Sequence, residues 1–295
     1  MRAFELFSAK DSTHAVALLA EHAPSVKVLA GGTDLMADYK FAPSSHIPKV
    51  IVDVSRLDEL KNITMTDQGL SIGSLVTHTQ IMRSPIIRDL FPALGEAAHT
   101  IGAVQTRNLG TLGGNLATAV PSVDSGPTLV ALDALVTLLS PSGRRQLPLA
   151  DFFVGPRKTA MKTEELMVEI LIPKPSLGKP TKFLKFGLRK GQALALVNVG
   201  ASFWVDWDTH VFVAPRGALG AVAPQVSHAT SAETFLEGRA ITPEAMAEAG
   251  RLAAGDAKPI NDMRASAEYR RDIVAVLTKR ALEGAYEQAQ AKRGK

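Results

Sequence analysis

The 295-residue chain has no cysteine. That removes disulfides, thiolate nucleophiles and cysteine-ligated zinc or iron–sulfur clusters, so any redox cluster it works with belongs to another polypeptide. Long apolar runs are missing as well. No stretch approaches the roughly 20 residues that a membrane-spanning helix needs. Aromatic residues make up 5% of the chain and the net charge is +4, with Lys and Arg mixed among Asp and Glu outside the terminal "QAKRGK". The interleaved basic and stacking side chains of a nucleic-acid surface are therefore lacking. Metal ligands are sparse: His14, His22, His46, His78, His99, His210 and His228 form no ligand-spaced pair with a nearby carboxylate, which argues against a metal site. Ser74 in "GSLVTHT" lacks the G-x-S-x-G elbow of a serine nucleophile and reads as structural.

What is present describes a folded protein. Hydrophobic residues are 46% and charged residues 21%, and the length exceeds what one core usually organises, so two or three sub-domains are expected. The opening "MRAFELFSAKDSTHAVALLAEH" scatters charges through its apolar positions, unlike a signal peptide, and makes the cytoplasm the expected compartment. The first segment alternates strand and helix: "FELFS", "DSTHAVALLAEH" with Asp11 or Ser12 as N-cap, "VKVLA", "LMADYKF" and "KVIVDVS". Such alternation predicts a small parallel sheet. From Leu57 onward strand patterns dominate, with turn signals at Asp67-Gln68-Gly69 and Pro141-Ser142-Gly143. "PKPSLGKPT", residues 173–181, reads as a linker. Beyond it come the strand-like "TKFLKFGLRKGQALALVNVGASFWV" and "GALGAVAP", then three helical segments with apolar residues three and four apart. The expected division is 1–56, 57–175 and 176–295.

Two glycine-rich stretches carry the chemical signal, "VLAGGTDLM" (28–36) and "RNLGTLGGNLATAVPSVDSGP" (107–127). Each reads as a strand-like run that ends in glycines before a helix-forming segment. Glycine lets the backbone approach a bulky anion, so that consecutive N–H groups can converge on phosphate oxygens without a charged side chain. Thr33 and Thr111 add hydroxyls. Either loop alone can equally be a tight turn, since neither has the lysine of a P-loop nor the G-x-G-x-x-G spacing of a dinucleotide fold. Asp124 can cap a turn or accept a hydrogen bond from a ligand hydroxyl. The residues alone stop at a phosphate-bearing ligand.

Together, "LAGGTDLMADYK", "TIGAVQTRNLGTLGGNLATAVPSVDSGPTLVALDA", "LGAVAP" and "RASAEYRRDIVAVL" resemble, in order along the chain, the FAD-binding medium subunit of the molybdenum hydroxylases, the xanthine dehydrogenase and carbon monoxide dehydrogenase family. The resemblance implies an α+β fold: a two-part FAD-binding domain like that of vanillyl-alcohol oxidase, then a three-stranded antiparallel sheet with a helix bundle. It implies that Ala30, Gly31, Gly32, Thr33, Asp34 and Leu35 line the FAD pyrophosphate and ribityl chain, with Thr111, Gly113, Gly114 and Asn115 closing over it. It further implies that Asp124 contacts FAD, Ile101 and Met167 flank the adenine, and Lys185 approaches the flavin, with Leu194 near one face of its ring. Ala103 and Val104 stand where relatives often carry Ser and Pro. The cysteine-ligated [4Fe–4S] insertion of the 4-hydroxybenzoyl-CoA reductases is absent. The implied partners are a large subunit with the molybdopterin cofactor and a small subunit with two [2Fe–2S] clusters, assembled as a dimer of heterotrimers. Two other readings stand beside this one: an independent FAD oxidase or dehydrogenase related to vanillyl-alcohol oxidase, and a flavin-free scaffold.

Overall fold

The computed structural model describes residues 3–41 and 48–294; His46 lies outside them. Its first layer is the parallel sheet that the sequence predicts. Strands β1 (Glu5–Ser8), β2 (Val26–Leu29) and β3 (Val50–Asp53) lie in the order β1-β3-β2, all parallel. Helices α1 (Ser12–His22) and α2 (Leu35–Phe41) make the two crossovers. Asp11 is the cap of α1, its side chain accepting from the His14 N–H at 2.7 Å, which satisfies one of the donors a helix start leaves orphaned. Ala15, Val16, Leu18 and Leu19 of α1 pack with Val26, Val50 and Val52 to form this sheet's core.

The second layer is a five-stranded sheet in the order β4-β5-β10-β6-β7, formed by β4 (Ile63–Thr66), β5 (Gly69–Gly73), β6 (Leu135–Ser140), β7 (Gly143–Pro148) and β10 (Leu166–Pro173). Both predicted turns, at 67–69 and 141–143, close antiparallel hairpins in it. Between β5 and β6 runs a chain of short helices: α3 (His78–Arg83), α4 (Pro85–Leu90), α5 (Pro92–His99), α6 (Val104–Leu109), α7 (Leu112–Thr118) and α8 (Ser125–Ala131). Helix α9 (Leu149–Phe152) and the small hairpin of β8 (Phe153–Gly155) and β9 (Lys158–Thr159) complete this part. Its core runs from Leu70 and Ile72 through Phe91, Leu116 and Leu129 to Phe152 and Ile170.

The last part is an antiparallel sheet of β11 (Thr181–Gly187), β12 (Ala195–Asp206), β13 (Val211–Gly220) and β14 (Ser227–His228), backed by α10 (Thr230–Leu236), α11 (Pro243–Asp256) and α12 (Ala267–Arg293). The sheet has four strands instead of the expected three. The fourth is only two residues long and pairs Ala218 with His228 and Leu219 with Ser227, too short to leave an alternation in the sequence. The proline-rich 173–181 stretch is packed, not loose: Ser176, Lys179 and Thr181 are buried. Burial pushes the Lys179 ammonium down to about 8, with Asp133 pulling the other way. No helix among the described residues is long and apolar enough to cross a membrane.

Candidate cofactor site

The two glycine stretches meet. Gly31 lies so close to the chain at Leu109 and Gly110 that a methyl group built on it would overlap the Leu109 carbonyl. The Thr33 hydroxyl lies 3.5 Å, and the His78 ring 3.4 Å, from the point where a side chain on Gly110 would begin. Gly32, next to Gly31, has φ +70°, a left-handed conformation that costs glycine little and other residues more.

Their backbones are used differently. In the first loop the N–H groups of Gly31, Gly32, Thr33 and Asp34 donate to no acceptor among the described residues. Thr33 and Asp34 are exposed and Gly31 and Gly32 half-buried, so four adjacent donors are free for a ligand. The second loop differs from the sequence reading in two ways. Helix α6, not a strand, leads into it, and Gly113 and Gly114 sit inside the first turn of α7. Its donors are also spent at home. Leu112 N–H donates to Val76 O at 2.8 Å, Gly113 N–H to Ser74 O at 2.9 Å, Gly114 N–H to Thr111 Oγ1 at 3.1 Å and Asn115 N–H to Thr111 O at 2.9 Å. Gly113 is glycine because a side chain there would run into Ser74. Ser74 is buried at this contact, and its own N–H donates to Val168 O at 3.2 Å, next to Met167.

The remaining predicted residues fall into two groups. Asp124, Lys185 and the 100–101 turn converge: Lys185 Nζ donates to Asp124 Oδ2 at 2.5 Å and to Thr100 O at 3.2 Å. Both side chains are at most 9% exposed, so this is a desolvated pair. Burial pushes the Asp124 carboxyl up, against the pull of Lys185 and of the hydrogen bonds it accepts. Asn115 reaches the same neighbourhood, its Oδ1 accepting from Ser125 Oγ at 2.6 Å beside Asp124. The loop that carries Leu194 closes onto this turn through Gln192 N–H to Gly102 O at 3.2 Å, with Leu194 exposed. Met167 is buried in β10 opposite Leu138, in the same hydrophobic core as Leu112 and Leu116 of α7.

Three residues escaped the sequence reading. Arg157 (φ +56°) donates its backbone N–H to Ala119 O at 2.8 Å and its guanidinium to Asp38 at 3.1 Å, tying the end of α7 to α2. Although Asp34 as a residue is exposed, partial desolvation of its carboxyl raises it, and Arg157 partly offsets the rise. His78, 2% exposed, has no partner for Nδ1 among the described residues, and burial together with nearby Arg107 pushes it down to about 4. Asn198 was legible only as a lone amide in the apolar run "LALVNVGASF". Among the described residues no cluster of three or more His, Asp or Glu could hold a metal.

Backbone donors left without an acceptor among the described residues, a tightly tied second loop against them and a buried ammonium–carboxylate pair suit a large, phosphate-bearing ligand. Comparison with known proteins specifies which. Residues 2–175 match the model of the FAD binding domain in molybdopterin dehydrogenase, and residues 182–285 that of the CO dehydrogenase flavoprotein C-terminal domain. The chain is 36% identical over 252 residues to the nicotinate dehydrogenase FAD-subunit of Eubacterium barkeri, covering 83% of each chain. To the carbon monoxide dehydrogenase medium chain of Hydrogenophaga pseudoflava it is 32% identical over 285 residues, covering 96% of this chain and 97% of that one. Its fold matches a solved structure of the Hydrogenophaga pseudoflava carbon monoxide dehydrogenase with a TM-score of 0.92 at 32% identity, covering 97% and 98% of the two chains. It matches quinoline 2-oxidoreductase from Pseudomonas putida 86 with a TM-score of 0.89 at 28% identity, covering 98% of both. The chain belongs to the FAD-binding medium subunits of the molybdenum hydroxylase family, the flavoprotein subunits of oxidoreductases of the carbon monoxide dehydrogenase and xanthine dehydrogenase type.

Proposed function

We propose that the chain is the electron-transfer subunit of a heterotrimeric molybdenum hydroxylase, built as a dimer of heterotrimers. In this reading a large subunit with the molybdopterin cofactor oxidises the organic substrate. Two [2Fe–2S] clusters in a small subunit pass the electrons on to this chain, which delivers them to an external acceptor. FAD, when bound, supplies the chemistry of exchanging single electrons with clusters and pairs with the acceptor. The protein supplies its position, its exposure and the charges around it.

The observation that carries this reading is the row of four free backbone donors from Gly31 to Asp34. They suit the pyrophosphate of FAD, with Ala30 and Leu35 flanking it. Thr111, Gly113, Gly114 and Asn115 then form the wall that the cofactor lies against, Ile101 and Met167 flank the adenine, and Asp124 and Lys185 stand near the flavin. With no cysteine in the chain a thioether link is excluded, and no motif stands behind the remaining route, a histidine link, so the reading is of noncovalent FAD, one per chain. Acid precipitation of the FAD-loaded chain should leave the flavin in the supernatant; flavin in the pellet would refute noncovalent binding. The rival of an independent oxidase is tested on the same material. The loaded chain alone should be bleached by dithionite but not by nicotinate, xanthine or carbon monoxide under anaerobic conditions. Rapid bleaching by one of these would revive the independent enzyme.

A further inference from the structure

Asn198 stands in the middle of β12, fully buried, directly across the sheet from Lys185 on β11. Its Nδ2 donates to Val123 O at 3.2 Å and to Asp124 Oδ1 at 3.0 Å. Asp124 is thereby bracketed, with Asn198 on one carboxylate oxygen and Lys185 on the other. The amide can point only this way round, since both groups facing its nitrogen are acceptors. The arrangement has a cost. Asn198 Oδ1 is buried with no partner among the described residues, and it lies where a side chain on Gly220 would otherwise sit. Burying an unpaired carbonyl is unfavourable, and a leucine would fill the same volume without it. The amide is kept for what its nitrogen does.

We propose that Asn198 is a positioning residue for the cofactor: its carboxamide fixes the Asp124 carboxylate against Lys185, and so sets the charge, and with it the flavin potential, at that edge of the site. This rests on the reading that FAD occupies the site. Asp124 comes from the FAD-binding half, whereas Lys185 and Asn198 come from the C-terminal half, so the C-terminal sheet completes the site electrostatically. Burial already pushes the Asp124 carboxyl up, and Lys185 and Asn198 both oppose that push. Without the Asn198 nitrogen the carboxylate takes up a proton more readily and Lys185 is left as an unpaired ammonium. An unpaired cation beside a flavin favours its electron-rich state, so the potential rises.

The test is dye-coupled reductive titration of the full-length, FAD-loaded chain as wild type, Asn198→Leu, Asp124→Asn and the double variant, with FAD content measured in each. Asn198→Leu should shift the flavin potential positive, Asp124→Asn should shift it further in the same direction, and the double variant should match Asp124→Asn alone, because Asn198 acts through Asp124. Where Asn198→Leu does not fold, Asn198→Ser is smaller, lacks the reach to Asp124 and should give the same positive shift. An Asn198 variant with full FAD content and the wild-type potential would overturn the proposal, as would a shift that adds in full to that of Asp124→Asn. A wild-type chain that takes up no FAD would instead refute the cofactor reading beneath it.

Discussion

The two glycine loops look alike as text and do opposite work. In "AGGTD" the N–H groups of Gly31 to Asp34 donate to no acceptor among the described residues and Thr33 and Asp34 face solvent, while in "GTLGGN" the donors of Leu112 to Asn115 are all bonded within the protein. The first leaves donors that a ligand can take up; the second is complete already. Glycine is used differently in each. Gly31 and Gly32 permit close approach and a left-handed turn, whereas Gly113 lets α7 settle onto Ser74. A glycine-rich motif therefore reports that backbone comes close to something, and only the accounting of its N–H groups tells whether that something is a ligand or the protein itself.

The largest effect should come from the position where the loops touch. Gly31→Ala puts a methyl group into the Leu109 carbonyl, and backbone cannot yield as a flexible side chain can. Overpacking of this kind costs on the order of 3 kcal/mol. Because the strain falls on the contact between the loops, FAD binding should collapse with it. FAD content after dialysis against excess cofactor, together with a urea unfolding curve, measures both. Full FAD occupancy in Gly31→Ala would show that the loops need not touch to form the site.

A second effect isolates the tied loop through acid. The His78 N–H donates to Gly110 O at 3.1 Å, and its ring is held neutral down to about 4 by burial and by Arg107. In the unfolded chain the same group titrates near ~6.5, so between these values the unfolded state binds the extra proton. Stability contributed by the neutral ring is present above about 6.5 and is lost as pH falls toward 4, by up to about 3 kcal/mol. Urea midpoints measured from pH 7 to pH 4 should fall steeply in wild type and less steeply in His78→Gln. Equal slopes would show that His78 does not titrate with unfolding.

These contrasts mark where the sequence could be read and where it could not. Elements with strong local signals appear where expected. The strands and helices from Glu5 to Asp53 follow the alternation of "FELFS", "VKVLA" and "KVIVDVS", and Asp11 caps α1 as its position suggested. Ser227–His228 left no trace because a two-residue strand has no period. The run before Gly110 was read as a strand and is the helix α6, since six residues hold under two turns of pattern and neighbouring helices decide their state. The pairing of Asp124 with Lys185 joins residues 61 apart, and no local rule links them. Asn198 shows the same limit: a polar residue in a buried strand marks that a partner exists but not which.

The smallest effect is the sharpest division between the loops, and it compares two threonines. Thr111 is the cap of α7, accepting from the Gly114 N–H at 3.1 Å. Thr33 is exposed, and its hydroxyl makes no hydrogen bond to any described residue. Removing a helix cap costs about 1 kcal/mol, so Thr111→Ala should lower the unfolding free energy read from the urea curve by that amount. Thr33→Ala removes nothing the folded chain uses, and its stability without cofactor should stay within about 0.5 kcal/mol of wild type. If the first loop holds the phosphates, that hydroxyl becomes a ligand contact when FAD binds. One such hydrogen bond is worth about 1 kcal/mol, or roughly a fivefold rise in the FAD dissociation constant. Unfolding of the two cofactor-free variants and fluorescence titration of each with FAD give the four numbers needed. The comparison fails if Thr33→Ala destabilises the cofactor-free chain as much as Thr111→Ala does, because the open loop would then be holding the fold together instead of waiting for a ligand.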